Sequence, residues 1–419
     1  MRVGVASAAP PLRRSRRALL YAIPPLLVLF APLTQLSYIP VSVGLGHDLG
    51  LSAGQIGITI GAHSLATAVA SLTIGPLLDL VPVRRVLVPA MVLNVVMASL
   101  LCLQPGFELL TIGRVVTGVA SGAVSLCGYA LVTDLTRGDP GARDRGFSLL
   151  QTFVSIGAGS ALGIGALAAA NERPTIVFGA AAVYAAVLLV IVLVTGGGRT
   201  QVGDPHADVS ETFRVRVSGV LRGVAMMVTE RRMQWLMVSA VVIGLVMQGG
   251  HYGVSVLLDS QSQSIATWQR VGLSVLIPCG VFTGSFINRW ALRRAPREQI
   301  FAALYLVLPA AVLVYGATVA LELPRWAVAV GLLLLGTCIG AMMPLSVAIS
   351  VGWFPELRGS STAAESLARS AGQTAGPIIV GLVVAASSVS YSAVAIAVAA
   401  VVGLVASRMM LAGRAAPVA

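Results

Sequence analysis

The sequence predicts an all-α membrane protein: twelve transmembrane helices arranged as two pseudo-symmetric six-helix bundles. Three observations carry this. The chain of 419 residues is 57% apolar and 11% charged, against about 25% charged residues in a soluble domain. Twelve apolar runs are long enough to cross a bilayer, which takes roughly 20 residues. The chain also repeats itself at its midpoint. Gly75-x-x-x-Asp79 followed by Arg84-Arg85 recurs 209 residues later as Gly284-x-x-x-Asn288 followed by Arg293-Arg294, with an apolar run on either side of each copy.

The runs lie near 19–43, 54–78, 86–104, 109–133, 147–170, 175–195, 234–257, 268–291, 300–321, 326–352, 361–386 and 390–411. This divides the chain into a tail (1–18), a first bundle (19–195), a linker (196–233), a second bundle (234–411) and a second tail (412–419). The first run follows Arg13, Arg14, Arg16 and Arg17, as a signal peptide would. It is too long for the apolar core of one, lacks an A-x-A-like end and leads into further spans, so an uncleaved first helix is expected.

Orientation follows from the arginines. With the N-terminus in the cytoplasm, 23 of the 28 basic residues fall on cytoplasmic segments, among them Arg84, Arg85, Arg293 and Arg294. Arg173, Arg270 and Arg325 fall outside, and Arg114 and Arg369 lie within spans. This asymmetry is the positive-inside pattern. It places both termini in the cytoplasm of a cell inner membrane, and it explains the net charge of +12 without any nucleic acid. The linker opens with Gly196-Gly197-Gly198, a flexible start. Its second part, about 211–230, is expected as an amphipathic helix whose Arg214, Arg216 and Arg222 meet anionic headgroups.

The four cysteines, Cys102, Cys127, Cys279 and Cys338, sit in apolar runs as small core residues. They form no C-x-x-C pair. No G-x-S-x-G elbow, G-x-x-x-x-G-K-S/T loop or His/Cys/Asp/Glu cluster with metal spacing occurs. No enzyme chemistry, metal or cofactor is therefore expected, nor is ATP-driven transport by this chain alone.

Several polar residues stand out against the apolar spans. Asp79 with Arg84 and Arg85 makes a charge lock that holds one conformation and breaks in another. Gly75, Gly284, Asn288 and Arg293 complete the two gate copies, the second without the carboxylate. Arg114 lies about 8 Å inside its span at 1.5 Å per residue, and an arginine there costs about 2.5–3.5 kcal/mol. Ser121 and Ser125 follow on its helical face. Arg114 is expected either to bind a polar or anionic group of a substrate, to hold a proton-carrying partner charged, or to bond carbonyls of a neighbouring helix. Glu365 precedes Arg369 by one turn, the favourable order for an intrahelical pair, and is also a candidate proton carrier. Thr34, Ser37 and Tyr38 are echoed 214 residues later by Gln248, His251 and Tyr252, a polar face at i, i+3, i+4 in each helix. These faces are expected to line a substrate cavity. Gly249, Gly250 and Gly253 are expected to let the second of them bend as a gate. His63 and His251 are candidates for titration near neutral pH.

Six plus six helices, a central cytoplasmic loop and the Gly75…Asp79…Arg84-Arg85 loop together resemble the major facilitator superfamily over the whole chain. The segment Asp48-Leu-Gly-Leu-Ser52 and Arg114-x-x-x-Gly118-x-x-x-Gly122 are similar to other stretches of that family. Leu80, Pro82 and Val83 depart from the family loop. The Gly-Pro of its drug exporters is absent from the fifth helix, while Gly372-x-x-x-Gly376-Pro377 occupies the symmetry-related eleventh. The resemblance implies a secondary active transporter of alternating access, with helices 1, 4, 7 and 10 around a central site. The expected cargo is a small drug-like compound or metabolite exported by a proton-coupled antiporter. Uptake symport or uniport of a small solute is the alternative, and a polytopic membrane enzyme or receptor a remote one. The expected partners are substrate, protons and lipid, with the chain a monomer.

Overall fold

The computed structural model describes residues 14–78, 80–136, 140–195, 209–260, 265–321, 324–354, 358–387 and 389–412. Fourteen helices account for nearly all of them: α1 (Arg14–Leu36), α2 (Tyr38–Asp48), α3 (Ala53–Leu78), α4 (Val83–Leu101), α5 (Phe107–Leu135), α6 (Pro140–Ala170), α7 (Thr175–Thr195), α8 (Val209–Thr229), α9 (Arg231–Ser260), α10 (Thr267–Ala291), α11 (Arg297–Ala320), α12 (Arg325–Trp353), α13 (Arg358–Ala386) and α14 (Val389–Ala412). Twelve spans are long and apolar enough to cross a membrane. The first, Ala22–Asp48, is made of α1 and α2 together. It extends past the predicted 19–43 because the chain only kinks at Ser37. Pro40 has no N–H to return to Leu36, and the ladder is interrupted there. The linker segment 196–208 lies outside the described residues, and the rest of the linker is largely α8.

Turn chemistry sets the ends. Gly50 takes φ +65°, which a glycine adopts without steric cost, and Leu51 N–H donates back to Gly46 O at 2.8 Å. Ser52 and Gln55 then cap α3 reciprocally: Ser52 N–H donates to Gln55 Oε1 at 2.9 Å and Gln55 N–H to Ser52 Oγ at 3.3 Å. Pro140 opens α6, a position where its missing N–H is not needed.

The spans alternate between two faces. One bears the described ends, Arg14 and Ala412, and is called here the terminal face; the other is the far face. Helices α1 to α7 form one half and α9 to α14 the other. Within the first half α3 packs on α5, α1 on α5 and α6, and α4 on α5 and α7; within the second α9 packs on α13 and α14, and α10 on α12. The halves meet where α3 packs on α13, α6 on α10 and α2 on α9. One apolar core crosses this junction, joining Leu36, Ile39, Ile60 and Leu162 to Ile243, Tyr252, Leu335 and Val380. A second is confined to the first half around Leu27, Phe30, Leu87, Met91 and Val124. Side chains such as Val183, Val190, Val194 and Val398 point outward and are exposed, as lipid-facing residues are.

The junction is tightest towards the far face. Gly57 lies against the backbone of Pro377, and a Cβ on Gly61 would stand 2.6 Å from Thr374 O. Thr374 Oγ1 donates to Gly61 O at 3.2 Å and Tyr252 Oη to Ala53 O at 3.0 Å. The far ends of the halves are thus sealed by glycine-backed backbone contact. The glycines of α9 serve packing too: α9 runs unbroken from Arg231 to Ser260, and Gly249 sits 3.3 Å from Gly376 O, measured from its built Cβ. No break interrupts α9 at Gly249, Gly250 and Gly253; Gly249 lets α13 approach, Gly250 faces Leu335 of α12, and Gly253 faces Tyr315 and Ser392.

Candidate functional site: a cavity between the halves

Towards the terminal face the halves diverge and enclose a cavity of about 660 Å³. That is within the range of sites that hold drug-sized molecules. The first half lines it from α1, α5 and α6 with Gln35, Ser125, Tyr129, Gln151, Thr152 and Ser155. The second half lines it from α9, α10, α12 and α13 with His251, Phe282, Ser285, Asn288, Met343, Arg369 and Gln373. Helices 1, 4, 7 and 10 contribute as the family resemblance implies, and helices 5, 8 and 11 add to them. Asn288, near the terminal end of α10, and Pro278, halfway along it, mark the depth of the opening.

The wall takes in Ser125, His251, Asn288 and Arg369 among the residues singled out from sequence. Neither ring nitrogen of His251 has a hydrogen-bond partner, nor has Asn288 Oδ1, although both side chains are more than 90% buried. Unpaired buried polar atoms are costly; these belong to residues that line the cavity, though the atoms themselves are shielded from it. Phe282 and Phe286 add an edge-to-face pair 5.0 Å apart to the wall.

Arg114 does not line the cavity; it is 2% exposed and lies behind Gln35. Its guanidinium donates to Thr34 O at 2.8 Å and Gln35 O at 3.4 Å, and sits 4.3 Å over the Tyr38 ring. These carbonyls are beside the kink of the first span, so the arginine holds a helix end whose ladder is interrupted. Thr34 bonds its own helix through Ala31 O, and Tyr38 Oη meets Thr59 Oγ1 at 2.8 Å. Ser121 Oγ lies 3.3 Å from His63 Nε2. Gln248 is fully buried with both amide atoms unpaired. Thr34, Tyr38, Ser121, Gln248 and Tyr252 thus stand behind the wall: the i, i+3, i+4 faces turn into helix packing, and only His251 of them reaches the cavity.

Glu365 and Arg369 form the expected pair, Arg369 Nη2 lying 3.5 Å from Glu365 Oε2. Glu365 is fully buried and also accepts from Ser346 Oγ at 2.6 Å. Arg369 is partly exposed to the cavity, and its Nε is unpaired.

The two gate copies sit differently. Asp79 lies outside the described residues. Around it, a side chain at Gly75 would meet nothing within 4 Å, Arg84 is half-buried and Arg85 exposed. In the second copy a Cβ on Gly284 would stand 2.7 Å from Ala341 N, Asn288 points into the cavity, and Arg293 is exposed. Arg294 covers the Trp290 ring at 3.6 Å. Sequence reasoning missed Gln35, Gln151, Ser155 and Gln373. Gln151 and Ser155 at i, i+4 on an otherwise apolar span were a usable signal.

Among the described residues no group of three or more His, Cys, Asp or Glu is placed to hold a metal. The sequence profile described as Major Facilitator Superfamily matches residues 26–330. No functionally curated protein matches. Solved structures do. One is a bacterial homolog of the human lysosomal transporter Spinster, inward-facing and unoccupied, at 16% identity and a TM-score of 0.73, covering 97% of this chain and 100% of that one. The same homolog, inward-facing and occupied, scores 0.70 at 14% identity over 96% and 98%. A point mutant of the nucleoside transporter NupG scores 0.74 at 13% identity over 93% and 99%. The profile covers most of the chain and these structures share its fold, so the chain belongs to the Major Facilitator Superfamily and is a multi-pass membrane transporter, not an enzyme.

Proposed function

We propose that the protein is a proton-coupled secondary transporter that exports a small amphipathic compound, drug or metabolite, from the cytoplasm. The carrying observation is the cavity itself. It lies between two halves, is sealed at the far face and reaches towards the terminal face, which is what one end-state of alternating access requires. The arginine distribution supports a cytoplasmic terminal face in a cell inner membrane, so this state faces inward. Movement of the first bundle (19–195) against the second (234–411) would seal the terminal face and expose the site on the other side. The wall mixes apolar and aromatic side chains with scattered hydrogen-bonding groups, which suits an amphipathic cargo. Glu365, the buried carboxylate tied to a wall arginine, is the proton carrier. The protein works as a monomer, since each half completes the site of the other.

The test is internal pH in energised inverted vesicles containing the protein, challenged with a chemically broad panel. Proton release from the lumen on adding one compound, lost in Glu365→Gln, supports proton-coupled export and names a substrate. Labelled compound moving without a pH response supports uniport and removes the coupling part of the reading.

A further inference from the structure

The charge balance in the middle of the bundle assigns the cargo's class. At least five residues in from either end of a span, the charged side chains among the described residues are Arg114, Glu365 and Arg369. Two guanidiniums against one carboxylate leave one positive charge uncompensated. Arg114 meets carbonyls and a ring face but no anion, and Glu365 is already shared between Arg369 and Ser346. Charge held away from water inside a span is expensive unless paired.

One of the two guanidiniums borders the cavity and the other lies behind its wall. Arg369 lines it, with Nε unpaired, and Gln35, whose carbonyl binds Arg114, lines the opposite side. Among the described residues none that lines the cavity is acidic; the other polar groups of the wall are neutral side chains such as Tyr129, Gln151, Asn288 and Gln373. A cationic compound would enter a region already positive and find no carboxylate. A singly charged anion brings the sum to zero and meets the part of the Arg369 side chain, 20% exposed, that borders the cavity. The apolar remainder of such a cargo has Phe282, Phe286, Met247 and Met343 beside it.

We infer that the cavity takes amphipathic monoanions, with the anionic group docked on Arg369 and a ring or chain against the Phe282–Phe286 side. This rests on the transport reading above and narrows it.

The test is equilibrium dialysis of the purified full chain in neutral detergent against three probes of one size: 2-naphthoate, its methyl ester, and 2-(aminomethyl)naphthalene. The expected result is that the carboxylate binds at least tenfold more tightly than the ester or the amine. Removing Arg369 alone leaves Glu365 buried and unpaired, so the decisive variant is Glu365→Gln combined with Arg369→Gln, which keeps shape without charge. In it the carboxylate loses its advantage over the ester. Arg369→Lys retains part of the preference. Equal or tighter binding of ester or amine overturns the assignment, as does a double variant that still prefers the carboxylate, or a failure of all three probes to bind. Counterflow in proteoliposomes separates the two readings. An ester or amine that binds best and is carried sinks the charge assignment and leaves transport standing. A preferred carboxylate with no probe crossing does the reverse.

Discussion

Replacing Gly61 by alanine tests whether the far-face seal holds the protein in its present conformation. A methyl carbon at that position would stand 2.6 Å from Thr374 O and 3.1 Å from Thr374 Cγ2, where 3.4 Å or more is ordinary contact. The helices α3 and α13 must therefore separate by about 0.8 Å at this point. That stretches the Thr374-to-Gly61 hydrogen bond from 3.2 Å past the useful range. Overpacking of this kind costs about 1–3 kcal/mol, and a lost buried hydrogen bond about 0.5–1.5 kcal/mol. The combined penalty, about 1.5–4.5 kcal/mol, falls on the sealed state alone, because an open far face does not contain the contact. At about 1.4 kcal/mol per tenfold, the population shifts at least roughly tenfold towards the open far face. Spin labels on cysteines at Asp48 and Ser387, in a background freed of the four native cysteines, read this as a longer distance in double electron–electron resonance. Gly179→Ala is the control, since a Cβ there meets nothing within 4 Å. A Gly61→Ala distance distribution identical to that of the parent refutes the seal.

Three further outcomes are expected. Tyr252→Phe removes the donor to Ala53 O; at about 1 kcal/mol it raises far-face opening about fivefold, seen as faster thiol labelling of a cysteine at Ala53. Arg114→Ala strips two carbonyls of a charged donor, worth about 1.5–3 kcal/mol per bond in general, so thermal unfolding in detergent moves down by several degrees; an unchanged midpoint would show the kink needs no guanidinium. Glu365→Gln abolishes lumenal proton release while substrate counterflow in de-energised proteoliposomes persists; loss of both instead assigns Glu365 a purely structural role.

The fold was legible because its signals are long. A span needs only length and apolarity, and each of the twelve runs supplies both, so the helix count survived errors of several residues at the ends. The kink at Ser37 was not read, although Pro40 three residues later marks it. The site was harder. Mid-membrane charge drew attention correctly to Arg114, Glu365 and Arg369, but charge alone does not say whether a side chain faces a cavity or a neighbour. Arg114 turns to the carbonyls of a broken helix, and Arg369 to the cavity. Polar stripes misled in the same way: Gln248 and Tyr252 share a helix face with His251, yet the close approach of α13 and α3 covers the first two. The glycines of α9, read from sequence as a place to bend, are also where α13 comes close at Gly249; a missing side chain permits a bend and a near neighbour equally.

The hydrogen bonds of the first half have a mechanical consequence. Arg114 ties α5 to the kinked first span, His63 meets Ser121, Thr67 Oγ1 donates to Gly118 O at 3.0 Å, and Tyr184 Oη to Leu26 O at 3.0 Å. These bonds run across a single half and weld its helices into one piece. Between the halves, among the described residues, backbone laid on glycine and a shared apolar core make the contact, and Tyr252 and Thr374 each donate a bond across it. A solid with directional bonds inside each block and mostly non-directional contact at the joint does not deform throughout when loaded; it parts along the joint. The bundle carries its own fault line, and cargo binding beside that line needs to tip only a small balance of forces to make the two blocks slip.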